Sequence, residues 1–492
     1  MKLHYTLAIS ALLCCTICTG TPVANTSDNS TEASIVVRWN DCKQTIDGFG
    51  IAQAGWAKEL FAFKNRDQVM DKMFGKDGLR LNILRGEVFP HYWENKDDKE
   101  FNLDDDIHIE LSDSDYTGKS DDLLRRGQLW LTLEAKNKYH VDRLIFSTWS
   151  APAWMKSNEN VSNGHLKPEC YQDFADYLVA FYKAYESKGI APYAISPSNE
   201  PGYAAPWNSS LWTADEMGRF ITAHLGPTFK KESIPAKIIF GENPLWSVCM
   251  PQLKMVSSKD FTDTILRDYP QAKDFNLIAA GHGYSLSPDI MPIKVDKEYL
   301  KTPIVPFRMS EEKHIPVWVT EISDVTPLDI SIEDGMNWAT TFHNYLTKAN
   351  VSAIVWWGGA MPTSNNESLI ILDKNREDFI LSKRYDVLGN FSRYIPEGST
   401  RIQVACPDRE DLLISAYKKN NEYALIAINL SKDFISTQLC MDGAKINGAL
   451  SRYTTDRNNR WSETKVVPMR NKCYKLELPP FSIVTFVGKV RL

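Results

Sequence analysis

The chain has 492 residues, of which 43% are hydrophobic and 24% charged, and its formal net charge at pH 7 is -6. This length and composition predict a globular protein with more than one domain. The acidic balance and the lack of any block of Lys and Arg argue against a nucleic-acid partner, because phosphate binding relies on clustered cations.

The first segment, residues 1–20, has the layout of a secretory signal, with a lysine near the start and an apolar core. Two interpretations of this segment remain open: cleavage directly after it, and lipid attachment at Cys14, Cys15 or Cys18. The polar segment 21–33 is predicted to be a flexible linker. No later segment has the roughly 18 apolar residues needed to cross a bilayer. We expect a secreted, periplasmic or cell-surface protein.

Six cysteines lie beyond the predicted signal: Cys42, Cys170, Cys249, Cys406, Cys440 and Cys473. An even number permits disulfides in an oxidising compartment without requiring them. Their wide spacing and the lack of CxxC or HExxH pairs argue against a zinc site, so no metal or cofactor is expected.

Eight short β-rich runs alternate with longer amphipathic stretches between residues 45 and 395, which predicts a TIM barrel of eight βα units. The runs are 45–50, 79–85, 142–150, 193–200, 236–242, 275–284, 316–323 and 352–359. Between the third and fourth runs, Phe174, Tyr177, Leu178 and Phe181 recur at helical spacing. The barrel is therefore expected to carry its helices on the outside.

The C-terminal part, residues 396–492, changes to short alternating runs with turn signals, which predicts a β-sandwich. The stretch "ISAYKKNNEYALIAI" reads as a hairpin, because Asn420 and Asn421 tolerate the positive φ of tight turns. The early strand 34–44 alternates in the same way, so we expect it to pair with this C-terminal domain.

Two glutamates end runs of the predicted barrel: Glu200 ends the fourth run and Glu321 lies near the end of the seventh. Active-site residues of TIM barrels lie at the C-terminal ends of the strands, and strands four and seven are nearly opposite each other. Two facing carboxyl groups suit glycoside hydrolysis, in which a spacing of about 5 to 5.5 Å implies a covalent intermediate and retained configuration. Structural salt bridges are the alternative reading.

Repulsion between the two carboxyl groups would keep Glu200 protonated as the acid, while Glu321 stays ionised as the nucleophile. Asn199 is an amide donor suited to a sugar hydroxyl, and Arg85, at the end of the second run, is expected to hold the nucleophile by a charge-assisted hydrogen bond. The alternatives are that Asn199 only caps a turn and that Arg85 is a surface residue.

Aromatic residues cluster near the same strand ends, where their faces can pack on sugar rings. The candidates for substrate binding are Trp93, Trp149, Tyr203, Tyr284 and Trp357, with His282 as a further contact. Only one of Trp356 and Trp357 can face the cleft, since side chains alternate along a strand, and Trp357 is the expected one.

The motifs "DGFGIAQAGW", "STWSAPAWMKSN", "ISPSNEP", "GHGY", "WVTE", "VWW" and "LSKRYDVLGNFSRYIPEGSTRIQV" follow one another in the order typical of glycoside hydrolase family 30, which this chain resembles from residue 45 to 490. The resemblance implies a TIM barrel with an attached β-sandwich and a retaining mechanism. It also implies that Glu200 is the acid/base and Glu321 the nucleophile. The motifs "WSAPAWMKSN" and "SRYIPEGSTRI" are most similar to the xylanase branch, which implies an endo-acting β-1,4-xylanase whose partner is xylan.

One loop departs from the glucuronoxylan-specific members of that branch, which carry an arginine and tyrosines after the last barrel strand. Here residues 358–369 read "GGAMPTSNNESL", and Ser323 stands where a tyrosine is expected. A loop without cationic donors cannot grip a carboxylate. Dependence on glucuronic acid is therefore not expected.

Other functions remain open on the same scaffold, because a fold does not determine a substrate. A β-glucosidase, a β-1,6-glucanase and an exo-acting xylosidase are alternatives within the enzyme class. A glycan-binding protein with an inactive barrel is the alternative outside it. In each case we expect a monomer whose partner is a carbohydrate.

Overall fold

The computed structural model describes residues 34–53, 56–93, 95–97, 127–249, 255–284, 303–373, 375, 377–407, 409–469 and 473–491. The predicted signal and linker lie outside these residues. Within the described part of the chain, no helix is both long enough and apolar enough to cross a membrane.

Eight parallel strands close into a barrel in chain order, which confirms the predicted fold class. After a first strand outside the barrel, β1 (Ser34–Ile46), they are β2 (Gly48–Ala52), β3 (Ile83–Val88), β4 (Arg143–Thr148), β5 (Ala194–Ser196), β6 (Lys237–Gly241), β7 (Leu277–His282), β8 (Val317–Ile322) and β9 (Ala353–Trp357). The pairing of β2 with β9 completes the ring.

The interior of the barrel is filled by small and branched side chains, with one tryptophan, Trp318, fully buried among them. Alternate residues of each strand point inward, and the others pack against the surrounding helices. Nearly every residue of the barrel strands is buried, so both faces of each strand are covered. This explains the continuous apolar runs in the sequence.

The described helices lie between the strands and after the barrel. They are α1 (Ala57–Ala62), α2 (Arg66–Phe74), α3 (Gln128–Tyr139), α4 (Tyr171–Ser187), α5 (Ala214–Phe220), α6 (Gly226–Lys231), α7 (Ser258–Asp268), α8 (Arg308–Glu312), α9 (Ile332–Lys348) and α10 (Lys383–Ser392). The apolar stripe predicted for α4 is buried, including Phe174, Tyr177, Leu178 and Phe181. This helix packs on the barrel through that stripe, as its helical spacing predicts.

The C-terminal domain is a nine-stranded sheet that includes β1. Following a small sheet of β10 (Ala360–Met361), β11 (Ile370–Asp373) and β12 (Asp378–Leu381), its strands are β13 (Ser399–Ala405), β14 (Leu412–Lys419), β15 (Glu422–Asn429), β16 (Ile435–Asp442), β17 (Lys445–Thr455), β18 (Ser462–Val466), β19 (Tyr474–Leu478) and β20 (Ser482–Arg491). The order is β18-β17-β20-β15-β14-β13-β1-β16-β19, and β19 contacts β15 and β20 across the fold. The sheet thus encloses its own core, in agreement with the predicted sandwich.

The first strand, β1, precedes the barrel in the chain but belongs to the C-terminal sheet. β1 pairs with β13 in antiparallel and with β16 in parallel orientation, and Ile35, Val37 and Trp39 enter the core of the C-terminal domain. In the β14–β15 hairpin, Asn420 adopts φ 53°, a conformation that asparagine tolerates.

Candidate active site

The two glutamates predicted to carry the chemistry meet at the C-terminal mouth of the barrel. One oxygen of Glu200, one oxygen of Glu321 and one ring nitrogen of His282 lie within 4.8 Å of one another. Both glutamates are buried: Glu200 is 7% exposed and Glu321 is 5% exposed. The fold therefore brings together two acidic side chains that are 121 positions apart in the sequence.

Glu200 does not lie on a strand, contrary to the predicted end of the fourth run. β5 ends at Ser196, and Glu200 follows in a turn with φ 47°, which is unusual for a residue other than glycine. Its backbone N–H donates to the carbonyl of Glu242 at 3.0 Å, and its own carbonyl accepts from Tyr203 at 2.9 Å. These bonds hold the turn and direct the carboxyl group over the barrel mouth.

Arg85 connects the polar groups of the site. Nη1 donates to Glu321 Oε2 at 2.5 Å, Nη2 to Asn199 Oδ1 at 2.6 Å, and Nε to Ser147 Oγ at 3.2 Å. Nη2 also lies 3.3 Å from Glu242 Oε1. Burial disfavours the charged guanidinium of Arg85. The attraction of the Glu242 and Glu321 carboxylates outweighs this effect and raises the pKa of Arg85.

The position of Arg85 differs from the sequence prediction in one respect. It was expected to end the second run, but β3 extends from Ile83 to Val88, so Arg85 is the third residue of the strand. Its side chain is completely buried rather than exposed at the rim. The arginine thus reaches from inside the barrel wall to the carboxylates of Glu321 and Glu242.

His282 and Tyr284 come from the end of β7 and the residues after it. Nδ1 of His282 lies 3.1 Å from Glu200 Oε1, and the Tyr284 hydroxyl donates to Glu321 Oε1 at 2.5 Å. Burial would lower the pKa of His282, but Glu321, Glu200 and Glu242 raise it to about 9. His282 is therefore a cation at neutral pH, and its Nδ1–H donates to Glu200.

Glu242 is a third buried carboxylate that the sequence reading missed. It follows β6 directly, has φ 47° as Glu200 does, and is 0% exposed. Its oxygens accept from Ser147 at 3.0 Å and face Arg85, while Oε1 lies 4.0 Å from His282 Nε2. The same strand-end rule that selected Glu200 and Glu321 would have found it, because it ends the run 236–242.

Different charged neighbours separate the protonation states of two of these buried glutamates. For Glu200, burial raises the pKa most strongly and the charge of Glu321 adds to it, against the hydrogen bond from His282. Repulsion between the carboxyl groups was the expected cause, but it is secondary to desolvation. For Glu242, burial is outweighed by Arg85 and His282, which lower its pKa to about 2.

Replacing Glu242 with glutamine is expected to destabilise the fold by about 3 kcal/mol at neutral pH, because each pKa unit corresponds to about 1.4 kcal/mol and the pKa falls from 4.5 to about 2. A depressed carboxyl pKa contributes stability above the unfolded pKa and loses it as pH falls toward 2. Urea denaturation of both proteins from pH 7 downward measures this difference, which should shrink below pH 4.5.

The exposed Glu422 provides a matched control, since Glu422→Gln removes only a surface ion pair with Lys489 and should leave stability nearly unchanged. Equal stability of Glu242→Gln and the unmodified protein at pH 7 would contradict the ionised state assigned to Glu242.

Aromatic residues line one side of the mouth. Trp149 lies over the guanidinium of Arg85 at 4.8 Å, and its ring centroid is 6.0 Å from that of Trp357. Tyr203 is half-buried beside Trp207, which is 52% exposed and was not predicted from the sequence. Trp149 is buried, at 7% exposed, so Trp357, Tyr203 and Trp207 present the larger accessible faces, and such faces are suited to packing on sugar rings.

Of the tryptophans considered from the sequence, Trp356 and Trp93 are in the hydrophobic core. Trp356 is buried against Trp338 and Phe342 of α9, as expected for the member of the Trp356–Trp357 pair that does not face the cleft. Trp93 was predicted to contact substrate, but it is 3% exposed and packs on Tyr177 of α4 at 5.2 Å. Its ring is occupied by core packing, so the structure does not bring it to the aromatic rim.

A buried lysine links the loops on the Glu200 side of the mouth. Nζ of Lys156 donates to Ser150 Oγ at 2.9 Å and to the carbonyls of Val161 and Ser209 at 3.2 and 2.5 Å. Burial lowers the pKa of this amine to about 7. Lys156 thereby fastens the loop after β4 to the loop that follows Glu200.

The loop after β9 is held against the loop after β8 through Asn366. Its Nδ2 donates to Thr326 Oγ1 at 3.0 Å, and its Oδ1 accepts from the backbone of Asp329 and from Arg384. Arg384 is completely buried and ion-paired with Asp334 at 2.6 Å. The Arg384 guanidinium, which contacts this loop, is thus already engaged within the fold.

Glu200, His282 and Glu321 have the donor atoms that metal sites use. However, Arg85 and Tyr284 already occupy the oxygens of Glu321, and a protonated His282 donates to Glu200. Two cationic side chains inside the cluster oppose a further cation. The arrangement fits a hydrogen-bonded acid and carboxylate pair better than a metal site.

Comparison with known proteins gives a matching family model and several relatives. The model of the family described as O-Glycosyl hydrolase family 30 matches residues 32–371. Glucuronoxylanase XynC of Bacillus subtilis (strain 168) is 24% identical over 460 residues, which cover 90% of this chain and 89% of that protein. Putative glucosylceramidase 3 of Caenorhabditis elegans is 25% identical over 401 residues, covering 76% of this chain and 71% of that protein.

Among solved structures, the catalytic domain of GH30 xylanase C from Talaromyces cellulolyticus has a TM-score of 0.74 at 23% identity. The match covers 92% of this chain and 99% of that chain. The structural similarity therefore includes both the barrel and the C-terminal domain.

Proposed function

Because this chain belongs to glycoside hydrolase family 30, we propose that it is a retaining endo-β-1,4-xylanase with Glu200 as acid/base and Glu321 as nucleophile. The observation that carries the proposal is the approach of the two carboxyl groups, with an oxygen of each within 4.8 Å. That separation is suited to direct attack on the anomeric carbon, whereas inverting enzymes keep their carboxyl groups about 6.5 to 9.5 Å apart to admit a water molecule.

In the first step, Glu200 gives its proton to the glycosidic oxygen while an oxygen of Glu321 attacks the anomeric carbon. The raised pKa of Glu200 keeps this proton in place before substrate binds. Arg85 and Tyr284 each donate to Glu321, which orients the carboxylate for attack. The C–O bond to the leaving sugar breaks as the ester to Glu321 forms.

In the second step, water attacks the anomeric carbon and releases Glu321. Once Glu321 is esterified its charge is gone, so one cause of the raised pKa of Glu200 is removed. The His282 cation 3.1 Å away also favours the ionised form. Glu200 then accepts the proton of the attacking water, and configuration is retained after two inversions.

Asn199 is positioned to bind the sugar in the subsite next to the nucleophile. Its Oδ1 is fixed by Arg85 at 2.6 Å, which leaves the Nδ2 amide protons available to a sugar hydroxyl. A hydrogen bond to the 2-hydroxyl strengthens in the transition state. We assign ring packing to Trp149 and Trp357 on one side and to Tyr203 and Trp207 on the Glu200 side, where the leaving sugar departs.

The proposed substrate is a xylan main chain without a required acidic branch. Support comes from the xylanase relatives and from residues 358–369, which contain no lysine, arginine or histidine. Glu367 adds a negative charge to this loop, and Arg384 beneath it is engaged by Asp334. Residues 358–369 themselves therefore offer a glucuronic acid branch no cationic partner.

Digestion of linear xylan, glucuronoxylan and β-1,6-glucan in parallel tests the substrate. We expect initial rates on the two xylans to agree within about threefold, since a direct ion pair would be worth tenfold or more, about 1.4 kcal/mol. We also expect viscosity to fall before much reducing sugar appears, as internal cleavage requires. Glu321→Ala protein serves as the blank for contaminating activity.

Three outcomes would redirect the assignment. Cleavage of β-1,6-glucan alone would identify a β-1,6-glucanase instead of a xylanase. Release of single xyloses from chain ends would favour an exo-acting xylosidase, and cleavage of aryl glucosides would favour a β-glucosidase. The similarity to putative glucosylceramidase 3 makes aryl glucosides a necessary part of the panel. We also propose export, on the basis of the signal-like segment 1–20.

A further inference from the structure

Two cysteines of the C-terminal domain lie side by side at the edge of its sheet. Cys440 is in β16 and Cys473 directly precedes β19, and their Sγ atoms are 3.0 Å apart. Both residues are half-buried. This pair is separate from the barrel mouth and plays no part in the proposed hydrolysis.

The strand register places these cysteines opposite each other. β16 and β19 pair antiparallel from Ile435 with Leu478 to Leu439 with Tyr474, so the next pair in the same register is Cys440 with Cys473. Directly opposed residues have Cβ atoms about 4.5 to 5.5 Å apart, and a disulfide needs about 3.5 to 4.5 Å. The two sulfurs can therefore bond with a small local adjustment of the strands.

The other cysteines in the described part of the chain are not arranged in this way. Cys42 pairs with Ile402, while Cys406 lies beyond the Val36–Ala405 pair, four residues and roughly 13 Å further along that strand. Cys249 donates to Asp260, and Cys170 is buried at the start of α4. Among the described cysteines, Cys440 and Cys473 are the one pair whose sulfur atoms are in contact.

We propose that Cys440 and Cys473 form a disulfide bond when the protein meets a disulfide oxidant. One thiolate attacks a sulfur of the oxidant and releases a thiol, and the second thiolate then attacks the mixed disulfide and releases the other thiol. The Sγ–Sγ bond forms, both cysteines are oxidised, and the oxidant is reduced to two thiols with the two protons. An oxidising compartment outside the cytoplasm supplies such reagents.

The environment of the pair also indicates when it is oxidised. Burial and the neighbouring Cys473 raise the pKa of the Cys440 thiol to about 11, so little thiolate is present in the folded protein at neutral pH. Oxidation of the folded protein is therefore slow, and it is faster while the strands are still assembling.

The bond would fasten an edge strand. β19 ends the order of the nine-stranded sheet, and among the described strands it pairs with β16 alone, so its outer edge is open to fraying. The bridge would close a loop that contains β17, β18 and the segment between them. Closing a loop of this length restricts the unfolded chain and stabilises the domain against heat and proteases.

Peptide mapping of the full chain tests the proposal directly. Protein refolded with oxidised glutathione is alkylated under denaturing conditions and digested with trypsin without reduction. We expect the peptide 433–445 joined to the peptide 473–475, with a mass lower by two hydrogens than the sum of the two. Free alkylated thiols at both positions, glutathione on either cysteine, or a bridge from either one to another cysteine would overturn the proposal.

Matched variants separate this bond from general effects of oxidation. Cys42→Ser keeps the cross-linked peptide, whereas the double variant Cys440→Ser/Cys473→Ser loses it. Reduction should lower the Tm of the unmodified protein and of Cys42→Ser by several degrees, and leave the double variant unchanged. An equal drop in all three would show that another bond supplies the stabilisation.

Discussion

Replacing Glu321 with alanine is expected to reduce xylan hydrolysis by roughly 10⁴-fold or more, because the nucleophile that forms the covalent intermediate is gone. Arg85 and Tyr284 lose their acceptor, and the vacated space lies directly beneath the anomeric carbon. Added azide can enter this space and attack an activated aryl xyloside. The product should be an α-glycosyl azide, since a single displacement inverts the configuration.

The configuration of this product is the decisive measurement, and proton NMR of the isolated azide determines it. Glu422→Ala, on the exposed β15 hairpin, is the matched control and should retain full activity. Unchanged turnover in Glu321→Ala would contradict the nucleophile assignment. An unchanged thermal transition would show that loss of activity does not reflect unfolding.

Replacing Glu200 with alanine should affect natural and activated substrates differently. Xylan needs a protonated leaving group, so its hydrolysis is expected to fall by about 10² to 10⁴-fold. An aryl xyloside with a good leaving group should still form the covalent intermediate on Glu321, which then accumulates. Azide should attack this intermediate from the opposite face and yield a β-glycosyl azide, the mirror outcome of Glu321→Ala.

The pH profile provides a second measure of the role of Glu200. Burial raises its pKa, so the protonated acid persists to higher pH than for a solvent-exposed glutamate, and kcat/KM on xylan should decline as pH rises through that value. Glu200→Ala should lack this alkaline decline with activated substrates. A decline that survives the substitution would assign the titrating group to another residue.

The opposed azide stereochemistry distinguishes the two carboxyl groups even if both variants lose most of their activity on xylan. Two α-azides, or two β-azides, would contradict the assigned division of roles. The approach of one oxygen from each group to within 4.8 Å makes a shared reaction centre a firm expectation.

Several features followed from local sequence patterns. Each of the eight predicted runs contains or overlaps one barrel strand, because a strand buried on both faces needs a continuous apolar segment. The spacing of Phe174 and Tyr177 predicted the buried face of α4. Position at a strand end selected Glu200 and Glu321, because the topology of a barrel gathers those ends at one mouth.

Other features arose only from contacts between distant segments. Trp93 was predicted at the cleft because it lies in a loop, but Tyr177, 84 positions away, holds it in the core. Its position at the end of the run 236–242 marks Glu242 as a candidate, but its two cationic neighbours, Arg85 and His282, come from distant segments. Such encounters are set by the packing of the whole fold, and no short window of sequence records them.

The amino-acid sequence by itself determined the barrel, the attached β domain and the pair of candidate carboxyl groups, because periodicity and strand-end position are local properties of the chain. The tertiary structure alone decided which groups carry charge at the site. Desolvation of Glu200 and the placement of Glu242 between two cations depend on side chains of β3, β7 and β8 and of the turns after β5 and β6 meeting in a water-poor space, where electrostatic interactions are strong.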